Sequence, residues 1–124
     1  MNDYPVIVTL PLPDPGLSPN GRSVWQKKAR LLKRARSDGY LATVKARIDC
    51  QHRRAFIKCE AHPTFYVRDK RRRDGDNAQA MLKPYYDGMV DAGLLWDDKD
   101  MVHMPVKFEI DKANPRVEIL VRPL

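Results

Sequence analysis

Arg71-Arg72-Arg73-Asp74-Gly75-Asp76-Asn77, running on through Leu82-Lys83-Pro84 to Gly93, decides how this chain folds. Three guanidinium groups lead into two carboxylates that share one glycine spacer, and an amphipathic helix begins there. Counted from Asp76 at about 100° per residue, Lys83 and Asp87 fall within roughly 20° of it, while Ala78, Met81, Leu82, Tyr85, Met89 and Ala92 spread over roughly 140° to 240°. One face is core; the opposite face carries a line of Asp, Lys and Asp. Asp76 or Asn77 is the expected cap, the helix is expected to reach Ala92, and Gly93 is the expected left-handed stop. Pro84 removes one backbone donor and is expected to bend the helix.

Upstream, Phe56 to Val67 predicts a strand, because Ile57, Cys59, Ala61 and Phe65 alternate with Lys58, Glu60, His62 and Thr64. Pro63 within it suggests an edge position or a bulge. Tyr4 to Leu10, with Val6, Ile7, Val8 and Thr9, predicts an earlier strand. Five residues, Pro11, Pro13, Pro15, Gly16 and Pro19, then punctuate a loop in which Ser18 or Asn20 could cap the next helix. From Arg22 to Arg54 eleven Lys and Arg residues stand against only Asp38 and Asp49, on a long helix or a helix pair. Trp25, Ala29 and Leu32 form one stripe and Leu41, Val44 and Ile48 another. Their angular offset predicts a kink or break near Ser37-Asp38-Gly39.

Downstream, Met101 to Asp111 and Arg116 to Val121 predict a closing pair of strands turned by Ala113-Asn114-Pro115. The order β-α-β-α-β-β predicts a small α+β domain over residues 1–124, with helices covering one mixed sheet.

The 124 residues suffice for one core, and no run approaches the length of a bilayer span. With no apolar signal segment at the start and only Cys50 and Cys59, reduced thiols and a cytoplasmic location are expected. The cysteines lack zinc-site spacing, and His52, His62 and His103 lack partners at ligand spacing, so each reads as a surface or satisfied histidine. A net charge of +7 and a pI near 9.6 favour a polyanionic partner. Eight of the 16 acidic residues lie between Asp69 and Asp100, and all eight are aspartate. Short carboxylates gathered in a basic chain are costly unless cations occupy the region.

Hydrolysis of a phosphodiester needs an activated water, neutralised phosphoryl charge and a stabilised leaving oxygen, and hard divalent cations serve all three needs. Two or three aspartates suffice for Mg²⁺, which keeps several waters. Asp74 and Asp76 point to the same side if the segment is extended. A third ligand from Asp97 or Asp98 requires their loop to double back along a helix roughly 24 Å long. Lys83 could meet a scissile phosphate or a water; its plain alternative is an i,i+4 pair with Asp87. Arg71, Arg72 and Arg73, with Lys27, Lys28, Arg30, Lys33 and Arg34 on the basic helix, form a candidate DNA-contacting surface.

These residues resemble the RusA family of Holliday junction resolvases of bacteria and their prophages. The likeness rests on Arg72-Arg73-Asp74-Gly75-Asp76-Asn77, Leu82-Lys83-Pro84, Asp87-Gly88-Met89, Asp91-Ala92-Gly93-Leu94 and Asp97-Asp98. Leu17-Ser18-Pro19-Asn20 and Met104-Pro105-Val106 are similar to weaker family signatures. Gly75 stands where the family usually has another apolar or small residue. The resemblance implies a small homodimer that uses Mg²⁺, or Mn²⁺ in its stead, to nick opposed strands of a four-way DNA junction in recombination and repair. It puts the essential aspartates at Asp74, Asp76 and Asp98, the functional lysine at Lys83, and Asp97 next in rank. A noncatalytic nucleic-acid binder, a nuclease for other branched DNA or RNA, and a basic structural protein are the rival readings.

Overall fold

The computed structural model describes residues 5–19, 24–52 and 54–124. Its spine is the strand Cys59–Val67, here β2, in which Cys59, Ala61, Pro63, Phe65 and Val67 are buried and the residues between them are half-buried. That alternation was legible in the sequence, although the strand begins three residues later than Phe56. Instead, Phe56 is a buried residue in a single parallel bridge to Leu95. β1 (Val6–Leu10) and β5 (Arg116–Pro123) pair antiparallel, from Val6 opposite Val121 to Leu10 opposite Val117, and β5 continues antiparallel onto β2. On the other edge of β2 lie two short parallel strands, β3 (Met101–His103) and β4 (Lys107–Ile110). The mixed sheet and its helices make this an α+β domain, as expected. Tyr4 and Asn20 lie outside the described residues.

Three strand expectations are corrected. Pro63 lies in the central strand, not at an edge. It is tolerated because the parallel pairing is split there: β3 ends at Ala61 opposite His103, and β4 begins at Thr64 opposite Lys107. The single strand expected from Met101 to Asp111 divides around Pro105, which cannot donate to a ladder. Nor do the last two strands form a hairpin; β4 and β5 flank β2 on opposite sides.

The basic segment forms one uninterrupted helix, α1 (Trp25–Asp49), without the expected break at Gly39. Its buried line is Ala35, Gly39 and Thr43, with Leu31, Ala42 and Ala46 half-buried against the core. Trp25, Leu41 and Ile48, which the sequence puts on two apolar stripes, are exposed. The glycine faces a neighbouring helix: a Cβ on Gly39 would lie 2.3 Å from the carbonyl oxygen of Tyr85, and one on Gly88 would lie 2.0 Å from that of Arg36. Two glycines thus let backbone meet backbone. Val24 takes the N-cap position of α1 without a side-chain bond, so Ser18 does not cap it; its hydroxyl donates to Asn77 Oδ1 at 2.7 Å instead.

The central helix of the sequence reading divides into α2 (Gly75–Met81) and α3 (Lys83–Asp91). Pro84 sits in the first turn of α3, where its missing N–H costs nothing, and this position turns the expected bend into a break. The core side of the wheel is as expected, with Ala78, Leu82, Tyr85 and Met89 buried. Cys59 is buried and its thiol is pushed up to about 11 by burial, while Cys50 is exposed; both are free.

Gly88→Ala should destabilise the fold by about 1–3 kcal/mol or more, because its methyl meets backbone that cannot swing aside. Gly75→Ala, whose added Cβ meets nothing within 4 Å among the described residues, should be neutral or slightly stabilising. Urea denaturation of the two variants compares them directly. His52, unlike the surface or satisfied histidine expected, is buried against Phe56 with ring centroids 4.5 Å apart, and its Nδ1 has no hydrogen-bond partner among the described residues. Burial, then the nearby Arg47 charge, lowers its pKa below the ordinary 6.5. The unfolded chain therefore binds the extra proton, so this contribution is present above pH 6.5 and is lost as pH falls below it. His52→Phe should flatten stability against pH around that value, and an unchanged slope would exclude His52 as its source.

Candidate active site

The chain leaves β2 at Val67 and reaches α2 through the arginine run. Asp74, not Asp76 or Asn77, is the N-cap: its Oδ1 accepts the backbone N–H of Asp76 at 2.9 Å and of Asn77 at 3.2 Å. Asp76 falls in the first helical turn, so the two carboxylates do not share one side as an extended segment would give. Asp74 borders a hollow with Arg68, Arg71 and Arg73. Asp76 borders a different one, of about 380 Å³, with Gln79, Lys83, Tyr86 and His103.

The third expected carboxylate reaches Lys83 because the chain reverses after α3. Gly93 adopts φ +79, the left-handed geometry expected of a helix stop. Leu94 and Leu95 then plunge into the core, and the N–H of Phe56 donates to Leu94 O at 2.7 Å. Fixed there, the chain runs back along α3. Asp97 caps a short 3-10 turn, Asp98–Asp100, by accepting the Lys99 N–H at 3.1 Å. Asp98 Oδ2 accepts a hydrogen bond from Lys83 Nζ at 3.2 Å, and the same ammonium donates to Asp87 Oδ1 at 2.6 Å.

Lys83 is thus the junction of the site. Asp87 first and Asp98 second hold its pKa above the ordinary lysine value, so it is a fixed cation. In return, the hydrogen bond from Lys83 is the main cause of the lowered pKa of Asp98, which remains an anion. The i,i+4 pair with Asp87, the plain alternative for Lys83, is present, and the chain after Gly93 doubles back so that Asp98 reaches Lys83. Hard oxygen donors suit Mg²⁺. Among the described residues, however, no three His, Cys, Asp or Glu side chains gather closely enough to hold an ion. Asp76 borders the hollow of Lys83, whose ammonium lies between Asp87 and Asp98, whereas Asp74 borders the separate hollow of the arginines.

His103 has no partner at ligand spacing in the sequence, yet it lies at the candidate site. Parallel pairing with Ala61 brings it to the Asp76–Lys83 hollow, where its ring lies 4.5 Å from that of Tyr86. Burial, followed by the Lys83 charge, lowers its pKa. Only the strand register could have signalled this.

The cations divide into distinct groups. Arg71 and Arg73 both bond Asp69, whose pKa is held down to about 2, first by the backbone N–H of Arg71 and then by the two guanidiniums. Arg72 is exposed. On α1, Lys33 borders a hollow that also contains Lys83 and Asp87. Arg34 borders another hollow and pairs with Asp38 at 4.0 Å, while Lys27 and Arg30 are exposed and Lys28 is half-buried. Of the expected α1 contacts, Lys33 is the one joined to the Lys83 region. Among the described residues, no helix is long and apolar enough to cross a membrane.

No family model matches the chain. An uncharacterized protein of the bacterium Xylella fastidiosa (strain Temecula1 / ATCC 700964) is 34% identical over 109 residues, which cover 86% of this chain and 70% of that protein.

The cap separates two roles of Asp74. Asp74→Ala should cost about 1 kcal/mol of stability through loss of the cap, whereas Asp74→Asn, a comparable capping residue, should cost little. Thermal melts of the two variants measure the difference, and equal losses would remove capping as its cause.

Proposed function

The chain belongs to the same family as the Xylella fastidiosa protein, and from the geometry of its site we propose that it is a metal-dependent endodeoxyribonuclease acting on branched DNA. The observation that carries this reading is the convergence on Lys83: Asp98, remote in sequence, bonds its ammonium at 3.2 Å, and Asp76 borders the same hollow from the start of α2. A fixed cation among oxygen ligands, beside a basic helix, suits a phosphodiester better than it suits a neutral substrate.

In this reading Asp74, Asp76 and Asp98, with Asp97 as neighbour, stand apart without metal and would have to draw together to hold Mg²⁺, or Mn²⁺ in its stead. The bound ion supplies an acidified water and neutralises charge on the phosphoryl group. Lys83 orients a phosphate or water, and Lys33 extends the positive surface beside it. Arg71, Arg72 and Arg73, with Lys27, Lys28, Arg30 and Arg34, bind backbone phosphates. The substrate proposed is a four-way junction, cut by paired nicks from a homodimer in the bacterial cytoplasm; two nicks related by a twofold axis call for two such sites. The RusA-like residues at these positions support the same assignment.

A second reading has its own observation. Asp74 caps α2 and Asp98 pairs with Lys83, and each bond also suits a noncatalytic binder of nucleic acid. Incubation with a labelled four-way junction, with Mg²⁺ and with chelator, separates the two. The expected outcome is paired nicks in metal alone, with Asp76→Asn binding the junction at least as tightly but cutting it 10²-fold or more slowly, as an order of magnitude for loss of a group acting in the transition state. Metal-dependent cleavage retained by Asp76→Asn would sink the assignment.

A further inference from the structure

On the other side of the α2 cap from Lys83 lies a hollow of about 550 Å³, within the range of small-molecule sites. Its apolar lining comes from three elements, β2, β4 and α2, and from the loop after β1. Phe65 on β2 and Phe108 on β4 are registered opposite each other, with ring centroids 5.6 Å apart and tilted by 53°. Met81 closes the α2 side, and Leu12, 39% exposed, stands on the loop after β1. Phe65 is buried, so Phe108 and Met81, both half-buried, are the surfaces a ligand would meet. Arg68, Arg71 and Arg73 border the same hollow.

This combination is specific. Phosphate contacts alone require donors on an accessible surface, and an apolar recess adds nothing to them. Nor can a stacked base pair enter a recess of this size, because its ring faces are already covered. A single unstacked nucleotide has what both parts would recognise: a planar ring with apolar faces and an anionic phosphate attached to it. Arginine suits the phosphate because its planar fork can donate two parallel hydrogen bonds.

We propose that this hollow is a nucleobase site, taking one unpaired nucleotide of the branched DNA with its base against Phe108 and Met81 and its phosphate on the arginines. The inference rests on the nuclease reading above and deepens it. Asp74 borders this hollow, and Asp76, in the first turn that Asp74 caps, borders the hollow of Lys83. A nucleotide held here would fix the branch point relative to the proposed cutting centre.

The test uses the full chain in chelator, so that no strand is cut, and four-way and forked DNAs carrying 2-aminopurine singly at each position around the branch. Wild type should change the fluorescence strongly at one branch position and weakly elsewhere. Phe108→Leu keeps an apolar side chain but lacks the ring; it should lose that response and bind branched DNA about tenfold more weakly, with duplex binding unchanged. Leu12→Asp, at an exposed position, should have the same effect without disturbing the core. Branched-DNA binding with no position-specific response, or with the response intact in both variants, overturns the nucleobase site and leaves the nuclease reading standing. Binding and response without cleavage when Mg²⁺ is restored would remove the nuclease reading alone. No binding to any branched DNA overturns both, and displacement of the response by stoichiometric free dAMP overturns the assignment to a DNA-borne nucleotide.

Discussion

The constraint on which the molecule depends is the backbone-to-backbone crossing of α1 and α3. Gly39 meets the Tyr85 carbonyl and Gly88 meets the Arg36 carbonyl, each at a distance that no Cβ could occupy. Helices packed through larger residues stand roughly 8–10 Å apart. Removing both side chains at the contact brings the axes closer and lets the flanking residues, Ala35 and Thr43 on α1 and Tyr85 and Met89 on α3, fill the core around them. An Arg36–Asp91 ion pair closes the edge of the same crossing. It is exposed and adds little stability; the fit of the glycines sets the geometry.

From that crossing the site follows. Because α3 is pinned along its length, Lys83 at its first residue is held at a defined point beside α1, and Lys33 shares its hollow. At the other end, Gly93 and the buried Leu94 and Leu95 fix where the chain turns back. Asp98 must then return alongside α3, since the start of β3 at Met101 has to pair with Cys59. The bond between Asp98 and Lys83 is therefore a consequence of sheet register and helix crossing together. Neither residue needs a local motif to find the other.

This explains what the sequence could disclose. The core face of α2 and α3, the stop at Gly93 and the alternation of β2 are local patterns, and each was legible. That the chain must double back along the helix after Gly93 was legible as a distance, because the helix between was measurable from its residue count; that Asp98 meets Lys83 there was not. Gly39 was misread: glycine is a breaker by propensity, and only the opposing Tyr85 carbonyl reveals it as a contact. The α1 stripes failed for a related reason, because the buried face is built from Ala35, Gly39, Thr43 and Ala46, small residues with weak hydrophobic signal, while Trp25, Leu41 and Ile48 point outward. Pro63 and His103 depended on long-range parallel register, which no window of sequence contains.

The role of Asp74 as a helix cap bears on how the proposed chemistry is weighed. A cap and a metal ligand look like competing explanations for one carboxylate, but an ionised carboxylate has two oxygens and about four acceptor sites. Both N–H donors from α2 meet Oδ1. Oδ2 remains the oxygen able to serve a cation, and a carboxylate held by two backbone donors has lost the rotational freedom that a ligand must otherwise surrender on binding. Asp98 is different: its partner is the ammonium of Lys83, which keeps its bond to Asp87 at 2.6 Å if a divalent ion takes its place on Asp98. Capping orders Asp74, and the hydrogen bond from Lys83 keeps Asp98 charged, in the absence of metal. They are therefore no evidence against a catalytic role, and the decision falls to Asp76, the carboxylate of the proposed three that neither caps a helix nor pairs with Lys83.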